Sequence, residues 1–222
     1  MTDIDVIFQD EAHRNRKLLV ADMDSTMITV ECIDELADYA GLRAEVSEVT
    51  ERAMRGEIDF AEALRDRVAL LAGMKESAIA ECLRERVKIM GGAKTLVQTF
   101  RAKGGKTILV SGGFTHFTGP VAKEIGFNCA IANRLVVNDG VLTGEVEQPI
   151  VDAETKRATL IAALNGRDAS MSIAIGDGAN DIPMIEAAGL GIAYHAKPKT
   201  QAAADACIRF GDLNVVRYAL GL

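Results

Sequence analysis

The chain has 222 residues, 49% of them hydrophobic and 26% charged, with a formal net charge of −7. That is enough for one large α/β-sized domain, or a domain with a smaller insertion, around a real core. The acidic balance argues against nucleic acid as a partner, which calls for a basic face, and it obliges any anion site to carry its own local positive charge.

No run of 18 apolar residues is present, so no membrane span or membrane partner is expected. The opening "MTDIDVIFQDEAHRNRK" lacks a basic stretch followed by an apolar one, so no secretory leader is expected either. Cys32, Cys82, Cys129 and Cys207 are scattered without a CxxC pair, which suits free, mostly buried thiols in a reducing cytoplasm. His13, His116 and His195 have no partner at ligand spacing and read as structural or surface groups.

In chain order, "KLLVAD" (17–22) is an apolar run that ends on two carboxylates, Asp22 and Asp24. Such a pair costs free energy unless a cation, a proton or hydrogen bonds compensate it. Residues 30–88 then carry helical periodicity and no convincing strand. "CIDELADYAGL" places Ile33, Leu36, Ala37 and Ala40 on one face and stops at Gly41, and "EVSEVTERAMRG" stops at Gly56. "DFAEALRDRVALLAG" and "KESAIAECLRERV" continue the pattern, so about four short helices follow the first strand directly.

"GAKTLVQTFRAKGG" sets Ala93, Leu96, Val97 and Phe100 on one helical face, with Gly104 as its stop. "KTILVS" (106–111) reads as a strand running into the turn Ser111-Gly112-Gly113. "RLVVNDGVLTGEV" (134–146) holds an Asn-Asp-Gly hairpin signal beside the main sheet. "SIAIGD" (172–177) and "GLGIAY" (189–194) are further strands without polar alternation, as in parallel strands covered on both faces. The predicted fold is α/β: a doubly wound, mostly parallel Rossmann-like sheet with an inserted helical cap, the core being 1–29 and 89–222 and the cap 30–88.

In such a sheet, ligands gather at the carboxyl ends of the strands. Asp22 and Asp24, the Ser111-Gly112-Gly113 segment and "GDGAND" (176–181) all fall there. Adding Asp177 makes three acids at one edge, for which Mg²⁺ is the natural compensation. The Ser111 hydroxyl and glycine N–H groups suit phosphate oxygens, and Lys156 near a helix start supplies positive charge. One leading aspartate could attack phosphorus while the other moves protons. Each piece alone has a plainer reading: an exposed acid pair, a helix-capping cluster at Asp177, Asn180 and Asp181, an ordinary turn, a solvated lysine.

Together, "DMDST", "SGG", the isolated lysine and "GDGAND" resemble the four ordered motifs of the haloacid dehalogenase superfamily of aspartyl-phosphate phosphatases. "DSTMITVECIDELA", "ERAMRGEIDF", "LRDRV", "VSGGF" and "IGDGANDIPMI" resemble its phosphoserine phosphatase branch, from about Lys17 onward. The resemblance implies Asp22 as nucleophile and Asp24 as general acid/base. It implies Mg²⁺ on the side chains of Asp22 and Asp177 and the carbonyl of Asp24. Ser111, Gly112 and Lys156 would bind the phosphoryl group, Asn180 would orient it or the attacking water, and Asp181 would support them.

In the cap, Glu31 would receive a substrate ammonium, Arg67 a carboxylate, and Met54 and Phe60 would form an apolar wall. Ala21 stands where members often have Phe, and Gly91 where many have Pro, a change expected to loosen the return from the cap. Many bacterial members also carry an N-terminal regulatory domain, whereas about sixteen residues precede the first strand here.

The implied activity is cytoplasmic, Mg²⁺-dependent hydrolysis of O-phospho-L-serine to serine and phosphate, the last step of serine biosynthesis. A related reaction on another small phosphorylated metabolite, such as phosphothreonine, is the first alternative. A non-catalytic receiver-like module is the second, and Asp24 argues against it. The expected partner is this small-molecule substrate, and a homodimer is compatible with the sequence without being required by it.

Overall fold

Leu18–Ala21 (β1) lies at the middle of the molecule, and all four of its side chains are buried. The computed structural model describes residues 4–9, 11, 14–55 and 57–222. The expectations for His13, for Gly56 and for the Met54 side chain fall outside what is described.

On one side β1 pairs in parallel with Lys106–Phe114 (β2), which pairs with Cys129–Asn133 (β3). On the other side it pairs with Ser172–Gly176 (β6), followed by Gly191–Tyr194 (β7) and Ala206–Ile208 (β8). The order β3-β2-β1-β6-β7-β8 reverses direction between β1 and β6, so the switch point of this parallel sheet lies at the carboxyl end of β1.

Alternation along the strands sends residues to two cores. Leu19, Ala21, Leu109 and Ile175 join Ala93–Ala102 (α5), Thr115–Ile125 (α6) and Asn214–Ala219 (α10). Leu18, Val20, Ile108 and Ala174 join Ala153–Leu164 (α7) and Ile182–Ala187 (α8). The face predicted for α5 is the buried one, and Gly104 turns the chain away at φ +79°.

Cys32–Tyr39 (α1), Arg43–Met54 (α2), Phe60–Ala69 (α3) and Glu76–Arg86 (α4) occupy the stretch between β1 and α5. The chain leaves and returns through paired segments: Ile28 bridges Ile89, Thr29 N–H donates to Lys88 O at 3.0 Å, and Met90 N–H to Met27 O at 2.9 Å. The return is also pinned at Gly91, whose carbonyl accepts from Leu213 N–H at 3.1 Å. Leu135–Asn138 (β4) and Val141–Val146 (β5) form the expected hairpin as a separate antiparallel pair. It is tied to the loop between α3 and α4: Gly73 N–H donates to Leu142 O and Leu142 N–H to Met74 O, both at 2.9 Å.

Two expectations need correction. Ser111-Gly112-Gly113 is not a turn after β2, because the strand runs on to Phe114 with its pairing to β3 shifted between Val110 and Phe114. The thiols are all free, but only Cys32 and Cys82 are buried; Cys129 opens the edge strand β3 and is exposed, and Cys207 is half-buried.

Candidate active site

Asp22 follows β1 directly, its N–H held by Ile175 O at 2.9 Å. Lys156, on α7 and fully buried, donates to Asp22 Oδ1 at 2.6 Å and to Asp181 Oδ1 at 2.7 Å. The other Asp181 oxygen accepts from Asp177 N–H at 3.1 Å and Gly178 N–H at 3.0 Å. This fold-back needs a glycine at 176, where a Cβ would lie 2.4 Å from the Asp181 carboxyl carbon. The expected capping role of "GDGAND" and its place beside the lysine are therefore one arrangement.

Asp24 faces another set of partners. Its Oδ1 accepts from Cys32 N–H at 2.9 Å, and its Oδ2 from the Ser111 hydroxyl at 3.2 Å. Ser111 Oγ in turn accepts from Gly113 N–H at 2.8 Å. A Cβ on Gly113 would sit 2.9 Å from Asp24 Oδ2, so the close approach of this strand to the acid requires glycine.

A cavity of about 970 Å³ opens above these groups, within the range of small-molecule sites. Asp22, Asp24, Gly112, Asp177 and Asn180 line its floor, and Glu31, Asp34, Phe60, Leu64 and Arg67 line its helical side. Phe60 reaches to within 3.1 Å of where a Gly112 Cβ would stand. Glu31 accepts from the Ser25 hydroxyl at 2.6 Å, and Ser25 holds φ +52°, strained for a non-glycine residue. Arg67 Nε donates to Ala63 O of its own helix at 3.1 Å.

The electrostatics follow from burial. Asp22 is pushed well above the ordinary carboxylate range by burial and by the Asp181 charge, against the pull of Lys156. Asp24 is raised by burial, which outweighs the hydrogen bonds from Cys32 and Ser111. Asp177 is raised to about 6 by burial and by Asp181. Glu31 is raised to about 7 by removal from bulk water within the cleft and by Asp24. Burial works against the charge on Lys156, but Asp181 and Asp22 together raise its pKa.

Carboxylate oxygens of Asp22, Asp177 and Asp181 all lie within 4.8 Å of one another. An all-oxygen cluster in which Asp22 and Asp177 are pushed toward protonation fits a hard divalent cation. The expected set of Asp22, Asp177 and the Asp24 carbonyl overlaps this cluster in two side chains; the Asp24 carboxylate points away from it.

All the predicted core residues meet at one strand-end edge, and Glu31 and Arg67 face them across the cavity. Ser111 and Lys156 are fully buried beneath the floor rather than exposed in it. Sequence reasoning passed over Ser25, Thr26, whose hydroxyl donates to Asp177 Oδ1 at 3.3 Å, and Asp34. Ser25 and Thr26 stand inside the quoted "DMDST", where a positive φ on a serine leaves no sequence signature. His116 lies 3.3 Å from Glu76, and His195 lies 2.9 Å from Gly211 O, both away from the cavity.

A parallel sheet with its acid cluster at the switch point defines a class. The chain belongs to the haloacid dehalogenase-like hydrolases, whose family pattern it matches over residues 19–186, with a second pattern of the same description over 155–220. It is similar to the phosphoserine phosphatase of Polaromonas sp., with 48% identity over 205 residues covering 89% of this chain and 87% of that one. Among solved structures it resembles a probable phosphoserine phosphatase from Vibrio cholerae in unliganded form, with TM-score 0.84 and 41% identity over 94% of this chain and 65% of that one. It also resembles a phospho-aspartyl intermediate analogue of phosphoserine phosphatase, with TM-score 0.83 and 38% identity over 92% and 99%.

Proposed function

We propose that this hydrolase is a cytoplasmic phosphoserine phosphatase, cleaving O-phospho-L-serine to L-serine and phosphate through an aspartyl-phosphate on Asp22, as the last step of serine biosynthesis. The observation that carries the reading is the division of labour between two buried aspartates two residues apart. Asp22 keeps Lys156 on Oδ1 and has no hydrogen bond on Oδ2 among the described residues, while Asp24 shares none of its partners.

In the first step Asp22 Oδ2 bonds to phosphorus as the seryl Oγ–P bond breaks. The leaving oxygen takes its electron pair and a proton from Asp24, whose raised pKa suits a proton donor. In the second step a water gives its proton to Asp24 and bonds to phosphorus, the Asp22–phosphorus bond breaks, and phosphate departs. Lys156 holds the spent Asp22 oxygen in place, the Gly112 N–H on the cavity floor faces the phosphoryl oxygens, and Ser111, beneath the floor with the Gly113 N–H on its Oγ, holds Asp24. Asn180 orients the phosphoryl group or the water.

Mg²⁺ held by Asp22, Asp177 and the Asp24 carbonyl, with Asp181 beside them, would neutralise charge on the phosphoryl oxygens. The helical cap over residues 30–88 supplies selectivity: Glu31 faces the substrate ammonium, Arg67 its carboxylate in a bidentate pair, and Phe60 shields the site from water. Phosphate release from O-phospho-L-serine, with Mg²⁺ and with excess chelator, beside a plain aryl phosphate, tests the reading. Fast, chelator-sensitive cleavage of phosphoserine is expected; a preference for the aryl ester would leave the core chemistry and remove the substrate.

A further inference from the structure

Asn133 is the last residue of β3 and is 2% exposed, a polar side chain at the end of an otherwise apolar strand. Its amide makes two bonds. Nδ2 donates to Gly112 O at 2.7 Å, and Oδ1 accepts from Val151 N–H at 2.7 Å. These bonds span the place where β2 loses register with β3. A register shift of this kind re-aims the backbone beside an active site.

The first bond acts through one peptide plane. With Gly112 O drawn toward Asn133, the Gly113 N–H of the same peptide points the opposite way, onto Ser111 Oγ at 2.8 Å. Ser111 then has its own proton free for Asp24 Oδ2 at 3.2 Å. The second bond fixes the entry to α7. Val151 precedes Asp152, the N-cap, whose side chain accepts from Thr155 N–H at 2.8 Å and whose carbonyl accepts from Lys156 N–H at 3.1 Å. Lys156 is thereby aimed from the helix's first turn at Asp22.

We infer that Asn133 is a positioning residue for phosphoryl transfer: one buried amide sets both the Ser111–Asp24 and the Lys156–Asp22 contacts. It touches neither substrate nor reacting atoms. The inference rests on the phosphomonoesterase reading of the site but not on the choice of phosphoserine, because both contacts belong to the floor of the cavity.

Asn133→Asp separates this role from simple core packing. It keeps an acceptor for Val151 N–H and replaces the donor to Gly112 O with a second acceptor, at nearly unchanged volume. Asn128→Ala is the comparison: Asn128 accepts from Thr107 N–H at 2.8 Å at the opposite end of β2, with no link to the cavity. Displacement of catalytic groups by about 1 Å costs on the order of 10²-fold, so kcat of Asn133→Asp at about pH 8 is expected to fall roughly 30-fold or more. Asn128→Ala should stay within about threefold of the unsubstituted protein. As pH falls toward about 5.5, protonation of the new carboxyl restores a donor, and the ratio of Asn133→Asp to the unsubstituted rate should climb several-fold.

A kcat for Asn133→Asp within about threefold of the parent at about pH 8 would overturn the inference. So would a loss in Asn133→Ala that Asn128→Ala reproduces at a matched thermal midpoint. Rates are read on phosphoserine and on an aryl phosphate. Cleavage of the aryl ester alone refutes the substrate reading and still decides Asn133. If neither ester is cleaved, the reaction reading fails by itself, and the Gly113 and Val151 amide resonances decide: both shifting in Asn133→Asp supports the coupling, and both unmoved refutes it.

Discussion

Lys156 and Arg67 are both cations of the candidate site, and they are held in opposite ways. Lys156 is fully buried under the sheet edge, with carboxylates at 2.6 and 2.7 Å. Arg67 is half-buried on the helical side. Its one hydrogen bond among the described residues goes to a carbonyl of its own helix, and burial lowers its pKa against the pull of Asp34 and Glu31. The floor arrives with its hydrogen bonds already made, so it costs no reorganisation at the moment of reaction. The helical side keeps its guanidinium fork uncommitted, so a ligand carboxylate can take it without first breaking an ion pair. The proposed chemistry and the proposed selectivity thus fall on two surfaces, one whose cation is committed to carboxylates and one whose cation is not.

The sharpest way to break that division is at the floor. Asp22→Asn keeps an acceptor for Lys156 but is a poor nucleophile, so kcat should fall by at least about 10³-fold while the protein stays folded. Near-normal phosphate release in a steady-state assay would remove the covalent step. Lys156→Met asks instead what the floor contributes to stability. Taking one partner from a buried ion cluster costs about 3–5 kcal/mol, measurable by denaturant unfolding.

The sign of the pH effect in Lys156→Met follows from Asp22, already raised by burial and Asp181 and then deprived of its cation. Its folded-state pKa rises further above the unfolded value, so the folded form takes up a proton that the unfolded form lacks. The loss in stability should therefore be largest at neutral pH and shrink as pH falls. A penalty that does not vary with pH would mean that Lys156 acts through packing alone.

The same two surfaces differ in how much of them the sequence revealed. β1, β2, β6 and β7 were legible because apolar runs covered on both faces leave a continuous pattern. β3 and β8 were not: "CAIAN" is an edge strand with a polar end, and "ACI" is three residues long. The glycines at 112 and 113 look like a turn from propensity, yet pairing with β3, resumed at Phe114 opposite Asn133, carries β2 past them. Asp22, Asp24, Ser111 and Asp177 were found because strand ends converge whatever the details, whereas Lys156, on α7, stood out only through the order of the motifs. What escaped were relations between side chains far apart in sequence, such as Lys156 bonding Asp181 as well as Asp22, or Asn133 joining Gly112 to Val151. Those depend on rotamer directions that no spacing encodes.

On the helical side the expected effects are smaller and specific to the ligand. Arg67→Ala should raise KM for phosphoserine by roughly 10- to 100-fold, the value of a charge-assisted pair, and leave an aryl phosphate nearly unaffected. Equal effects on the two substrates would take Arg67 out of the pocket and erase the contrast with Lys156.

Glu31 sharpens the comparison most finely, because its own pH response separates recognition from chemistry. Removal from bulk water in the cleft, then Asp24, with Asp177 and Asp34 adding, raise it to about 7, while the Ser25 hydroxyl pulls the other way and Arg67 lines the same side of the cavity. A folded pKa above the unfolded value means that the folded protein holds a proton there between the two values. The associated stability is present at low pH and is lost as pH rises through about 7. An ammonium, however, needs the ionised form, so recognition is gained over the window in which that stability is lost. The ratio of kcat/KM for phosphoserine to that for an aryl phosphate should accordingly rise with pH to a plateau near 7, or lower once a cation compensates Asp24 and Asp177. Taking the ratio cancels the free-enzyme titrations shared by both esters, those of Asp22 and Asp24 included. Glu31→Gln should flatten the ratio at its low-pH level and raise the thermal midpoint at about pH 8. A ratio that still rises with pH in Glu31→Gln would place ammonium recognition on another acid, with Asp34 the next carboxylate on that wall.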